Sequence, residues 1–230
     1  MKLSNTMMAI IAAAVLGFSV PAIANEGGAH LKHAEVDASD QAQIRRGLGV
    51  FTDVCMGCHS AKYIRYQSLM AYPEIGLTRA EVDELRGDRS LMSGMISDMA
   101  IEDAISSYGK APPDLSLIVP GRRGGANYIY SLLTGFEHDP EGKVPDGNYN
   151  PIYPGGRIAM PDPLSWLEHD EADTAEIEKQ AQDVAAFLTF IGDPHQNERR
   201  AIGCWVVGFL ILLTLVLWRL KVEVWKDVIH

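Results

Sequence analysis

Cys55-Met56-Gly57-Cys58-His59 sets two thiols three residues apart and an imidazole directly after the second. Thiols at that spacing can each add across one vinyl group of a porphyrin. The histidine that follows then stands beneath the iron, so the string reads as the attachment site of a c-type haem. Two other chemistries use paired cysteines. A zinc knuckle needs a second pair of ligands, and the one further cysteine is Cys204. A redox dithiol has no need of His59 and sits in a strand–helix–strand context, of which the sequence carries no sign. The expectation is one haem c, covalent through Cys55 and Cys58, with His59 as an axial metal ligand.

The other axial ligand decides what such an iron can do. An open position permits catalysis or gas binding, whereas a methionine closes the iron and raises its potential. Between the two apolar ends of the chain stand Met56, Met70, Met92, Met95, Met99 and Met160. Met56 lies inside the motif and cannot reach the opposite face. Met92, Met95 and Met99 recur at helical spacing, the pattern of core packing. Met160 sits in Ile158-Ala159-Met160-Pro161-Asp162-Pro163. Its prolines deny their neighbours a helix and stiffen the loop, which suits presenting a sulfur to a metal. Core packing of Met160, with a histidine as sixth ligand, is the alternative at this point.

These residues need elements to position them. Gln41 to Val54 reads as a helix, because Ile44, Leu48, Phe51 and Cys55 recur at spacings of four, three and four. It runs directly into the motif. Thr174 to Ile191 reads as a second helix, with an apolar stripe of Ile177, Ala181, Val184, Leu188 and Ile191. Asp173-Thr174-Ala175-Glu176 can form its capping box, and Gly192-Asp193-Pro194 stops it. Thr78 to Leu85 and Leu91 to Ser106 are further expected helices. Gly and Pro are dense from Gly109 to Ala126 and from His138 to Pro163, which predicts long loops. No run of alternating strand residues stands out.

Both ends of the chain are apolar. Met1-Lys2, the run from about Met7 to Val20, and Ala22-Ile23-Ala24 have the form of an export signal cleaved before Asn25; an uncleaved anchor is the alternative. Ala201 to Trp218 holds no charge and lies between Arg199-Arg200 and Arg219 with Lys221. Eighteen helical residues rise about 27 Å, close to the hydrocarbon thickness of a bilayer. A buried soluble helix would rarely be apolar on every face. The division that follows is 1–24 signal peptide, 25–198 periplasmic haem domain, 199–220 transmembrane anchor and 221–230 cytoplasmic tail. Cys204, inside the span, reads as a small apolar residue rather than a ligand.

The head between the two segments carries 14 Lys and Arg against 28 Asp and Glu, a formal charge of −14. That excludes nucleic acid as a natural partner. It would draw in a basic soluble protein, although ordinary solubility accounts for the charge equally well.

Longer blocks of residues narrow the reading. Ile44-Arg45-Arg46-Gly47 precedes the haem motif. Ala111-Pro112-Pro113-Asp114-Leu115-Ser116 is followed by Arg122, Gly124-Gly125, Tyr128 and Ser131-Leu132-Leu133-Thr134-Gly135. Asn150-Pro151 and Tyr153-Pro154-Gly155 lead into Ile158-Ala159-Met160-Pro161, and an anchor closes the chain. In this order the blocks resemble the cytochrome c1 family, the c-haem subunits of the cytochrome bc1 complex. The resemblance implies a mainly α fold: a c-type cytochrome-like haem domain with long Gly/Pro-rich loops plus one C-terminal transmembrane helix. It implies Met160 as the sixth ligand and Pro113 as the carbonyl that accepts from the proximal histidine. It also implies Arg122 facing a haem propionate, with Tyr128 assisting. Departures from the family pattern are Ser106-Ser107 in place of asparagines, Asp162 within the usual proline run, Phe136 for a tyrosine, a compact Ala61–Lys110 stretch, and no cysteine pair to tie the Met160 loop.

Function by this resemblance is one-electron transfer from a Rieske iron–sulfur protein to a soluble c-type cytochrome. The anchor would lie against cytochrome b in the lipid bilayer of a bacterial inner membrane, within a dimeric complex. No substrate bond is broken by the chain itself. The acidic run Glu168, Asp170, Glu171, Asp173 and Glu176 is a candidate for attracting a basic acceptor, or simply a solvated helix start favoured by the dipole. Three other functions make different predictions. A membrane-anchored monohaem cytochrome feeding a terminal oxidase would not co-purify with b haem and a [2Fe–2S] centre. A haem enzyme or gas sensor would bind carbon monoxide when reduced. A haem serving only as a folding staple could be redox-silent.

Overall fold

The computed structural model describes residues 30–139, 142, 147–165 and 171–227, and of residues 171–173 the backbone only. The expected signal peptide, the end of the tail, and the side chains of Glu168, Asp170, Glu171 and Asp173 lie outside the described residues. What is described is mostly helical, as expected of a c-type haem head carried on one apolar C-terminal helix.

Helix α1, Gln41–Val50, starts at Asp40, whose carboxylate accepts from the amides of Ala42 and Gln43. It buries Ile44 and Leu48 and then widens into a π turn, Phe51–Cys55, closed by Met56 N donating to Phe51 O at 2.7 Å. A π turn holds one more residue than an α turn, so the sequence expectation of one helix to Val54 holds only as α plus π.

The chain continues through β1 (Ala61–Arg65), α2 (Ser68–Ala71) and α3 (Arg79–Arg86). Then come β2 (Gly94–Met95), α4 (Ile101–Tyr108), α5 (Ile118–Gly121) and α6 (Ala126–Leu133). The hairpin strands β3 (Asn148–Tyr149) and β4 (Arg157–Ile158) precede α7 (Glu171–Gly192) and α8 (Gln196–Val224).

Helices α1 and α7 make the largest contact in the head. Phe51 and Phe187 meet there with ring centroids 5.5 Å apart. A Cβ on Gly47 would lie 1.9 Å from the Asp183 carbonyl oxygen, so only glycine permits this crossing. From Val184 to Leu188 every residue of α7 is buried, because α5 and α6 cover the face that α1 leaves free.

Four expectations need correction. Leu91 to Ser106 is not one helix. Ser93 N closes a turn onto Ser90 O at 3.0 Å, Gly94 and Met95 pair with β1, and the helix begins only at Ile101. A Cβ on Gly94 would lie 2.4 Å from Lys62 O, so this pairing depends on glycine. Met92, Met95 and Met99 therefore share no helical stripe: Met95 is fully buried and Met92 is exposed.

Strands do exist. β1 escaped notice because its pairing slips between Ala61 and Arg65, which destroys the alternation that sequence reading relies on. Helix α6 was not expected at all. Finally, α7 already includes Glu171 and Ala172, so Asp173 lies within the helix and not ahead of it. The capping box is instead on α3, where Thr78 Oγ accepts from Glu81 N and the Glu81 carboxylate accepts from Thr78 N.

Helix α8 runs 29 residues, is apolar enough to cross a membrane and is not buried against the head. At about 1.5 Å per residue it extends past both ends of a 30 Å hydrocarbon layer.

Candidate functional site

The π turn delivers Cys55, and the next turn folds Cys58 and His59 back over it: their amides donate to Cys55 O at 3.1 and 2.8 Å. Both thiols are free and half-buried. Burial, with Cys58 adding, pushes the Cys55 thiol up to about 12.

The turn is tied on two sides. Ser97 Oγ donates to Gly57 O at 2.9 Å, and Ser97 N donates to Ser60 Oγ at 2.9 Å. Opposite, Leu115 N donates to Ser60 O at 2.7 Å. The Asp114 carboxylate accepts from Lys62 N and Ser116 N, each at 3.0 Å.

This second tie brings the carbonyl oxygen of Pro113 to 2.8 Å from His59 Nδ1. A carbonyl can only accept, so Nδ1 carries the proton and Nε2 keeps its lone pair. Burial lowers the His59 pKa, against the opposing effects of the Pro113 hydrogen bond and the Asp114 charge. A neutral imidazole with a free Nε2 is what a metal requires.

Met160 stands two residues past the end of β4 and is half-buried. Its carbonyl accepts from Asn148 Nδ2 at 3.1 Å. The hairpin is fixed by Asn150, a fully buried amide. Its Nδ2 donates to Leu132 O at the end of α6 at 2.8 Å, while its Oδ1 accepts from Ile152 N at 3.1 Å. On the far side of Met160, Asp162 Oδ1 accepts from Leu164 N at 2.9 Å, and Leu164 is buried against Ala34, Tyr130 and Ala181. Asp162, a departure from the proline run, thus fixes the loop by a turn of its own.

Arg122 is exposed at the end of α5, and Tyr128 is half-buried on α6. Burial raises the Tyr128 phenol, Arg122 opposes the rise, and Tyr153 adds to it. Tyr153 in turn accepts from Lys110 Nζ at 3.3 Å. Sequence reading gave roles to Arg122 and Tyr128, noted Asn150 only within the Asn150-Pro151 block, and assigned nothing to Lys110 or Asn148. Asn150 carried a signal, an amide between a strand and Pro151 in a glycine-rich loop, a position where side-chain hydrogen bonds shape turns.

Among the described residues no three His, Cys, Asp or Glu side chains gather as a metal site. The paired thiols next to His59 are the groups that bond a porphyrin, which carries its own equatorial ligands. The donor set fits a c-type haem.

A model of the Cytochrome C1 family matches residues 32–228. Cytochrome c1 of Rhodospirillum rubrum is 32% identical over 96% of this chain and 97% of its own length. Cytochrome c1 of Allochromatium vinosum is 31% identical over 90% and 93%. The mitochondrial cytochrome c1 heme protein of Schizosaccharomyces pombe is 38% identical over 76% of this chain, which spans 64% of that protein.

Proposed function

The chain belongs to the Cytochrome C1 family, and from that we propose how it works as the membrane-anchored, haem-containing electron-transfer subunit of the cytochrome bc1 complex. One haem c is bound covalently through Cys55 and Cys58. When bound, it supplies a one-electron couple between a Rieske iron–sulfur protein and a soluble c-type cytochrome.

The protein's residues set that couple. His59 ligates through Nε2, and the Pro113 carbonyl holds its tautomer and strengthens it as a donor. Met160 supplies the sixth ligand, which closes the iron and raises its potential. Arg122, with Tyr128, holds a propionate, since a carboxylate in a protein needs such a partner.

In this reading residues 1–24 are a signal peptide, 25–198 a periplasmic haem domain, 199–220 the anchor beside cytochrome b, and 221–230 a cytoplasmic tail, all within a dimeric complex of a bacterial inner membrane. The observation that carries the axial assignment is the 2.8 Å contact between His59 Nδ1 and Pro113 O, which leaves Nε2 as the free donor.

The test is Met160→Leu in the assembled membrane complex. The methionine–iron charge-transfer band should vanish, the potential should fall steeply, and the ferrous haem should take up carbon monoxide. An unchanged potential with no gas binding would remove Met160 from the site.

A further inference from the structure

We propose that Lys110 and Tyr153 form a carboxylate-binding pair at the haem edge, a second propionate contact beside Arg122. The proposal rests on the assignments of His59, Met160 and Arg122 made above.

Lys110 stands three residues before Pro113, on the loop whose carbonyl orients His59. Tyr153 stands seven residues before Met160, in the turn between β3 and β4. That turn is fixed by Tyr153 N donating to Asn150 O at 3.1 Å and Gly156 N donating to Tyr153 O at 2.8 Å. Lys110 Nζ lies 3.3 Å from Tyr153 Oη and 5.4 Å from the ring centroid. One side-chain contact therefore joins the loop on the His59 side to the loop that carries Met160.

Loops serving opposite faces of a flat group meet around its rim, and on a haem rim only the propionates are charged. The Tyr128 phenol is acted on by the charge of Arg122 and by Tyr153, in keeping with the contact that Tyr153 makes with Lys110.

The hydrogen-bond count also suits a carboxylate. An ammonium has three donors, of which Tyr153 takes one. The Tyr153 oxygen accepts from Lys110, which leaves its own O–H free to donate. Both groups then face a carboxylate with donors to spare. Lysine acts there as a point charge and offsets negative charge that would otherwise favour ferric iron.

The experiment is an equilibrium redox titration of haem c in the purified complex, without soluble acceptor, for Lys110→Gln, Lys110→Arg, Tyr153→Phe and Arg122→Gln. Lys110→Gln should shift the equilibrium about threefold toward the oxidised form, roughly 30 mV for one electron at about 59 mV per tenfold. Lys110→Arg should titrate as the parent does, Tyr153→Phe should shift less in the same direction, and added salt should shrink the shifts.

If Lys110→Gln titrates as the parent while Arg122→Gln shifts, the pair is overturned and the edge assignment stands. If neither shifts, the edge assignment falls and the pair with it. If Lys110→Gln titrates as the parent and, in a parallel kinetic assay with a soluble cytochrome added, changes only the salt dependence of that reaction, its carboxylate belongs to that protein and the proposal is overturned.

Discussion

Arg46 holds Asp183 with two parallel hydrogen bonds, Nε to Oδ2 at 2.7 Å and Nη2 to Oδ1 at 2.9 Å. This fork spans the crossing of α1 and α7, one residue from the Gly47 contact, and so fixes the helix whose following π turn ends in Cys55. Its two partners differ in exposure: the Asp183 side chain is 4% exposed and that of Arg46 is 47% exposed.

That difference predicts unequal costs. Arg46→Ala strands a buried carboxylate and should lose about 3 kcal/mol. Asp183→Ala leaves an arginine that can turn to water and should lose about 2 kcal/mol, the worth of its charged hydrogen bonds. Denaturant unfolding of the assembled haem protein checks the order. Equal losses would mean that the fork is not limited by the buried partner.

Asn150→Leu should loosen the Met160 loop. The substitution keeps the volume but removes the Asn150 donor from Leu132 O, which Gly135 N still reaches at 3.4 Å, and leaves Ile152 N without its acceptor, at about 2 kcal/mol in all. The expected readout is a weaker methionine–iron charge-transfer band and partial carbon monoxide binding, with haem attachment unchanged. A parental band would show that the hairpin does not set the sulfur's position.

Helix α3 should fray in acid. The Thr78 amide holds the Glu81 carboxyl below its ordinary 4.5, with the Thr78 hydroxyl and Arg45 assisting. Arg79 and then Arg86 hold Asp83 below its ordinary 3.8. A depressed folded value means that the stabilisation is fully present above the unfolded value and is lost as pH falls through the folded one. Amide protection over 79–86, corrected for intrinsic exchange, should therefore decline below about pH 4.5. Glu81→Gln should flatten the decline, and an identical decline in that variant would acquit the capping box.

Some elements were legible because local pattern and tertiary environment agree. α1 keeps one apolar stripe and meets one partner along it, so its 3.6-residue period survives in the sequence. The end of α7 at Gly192 was equally plain. Other elements were hidden for definite reasons. The slipped pairing of β1 with β2 removes alternation, and α6 begins directly after two glycines, Gly124 and Gly125, both at positive φ. The methionine spacing at 92, 95 and 99 imitated a helix because periodicity over so few residues cannot separate a stripe from coincidence.

The sequence by itself determined the chemistry: a haem held by two thiols, an imidazole beneath the iron, an apolar C-terminal helix and an acidic head. These depend on residue types at short spacings, which no fold can rearrange. Only the tertiary structure decided which His59 nitrogen bears the proton, what holds the Met160 loop, and that Lys110 meets Tyr153. Pro113 lies 54 residues from His59, and Lys110 lies 43 from Tyr153. Contacts across such separations leave no local periodicity, because they are made by the packing of whole elements.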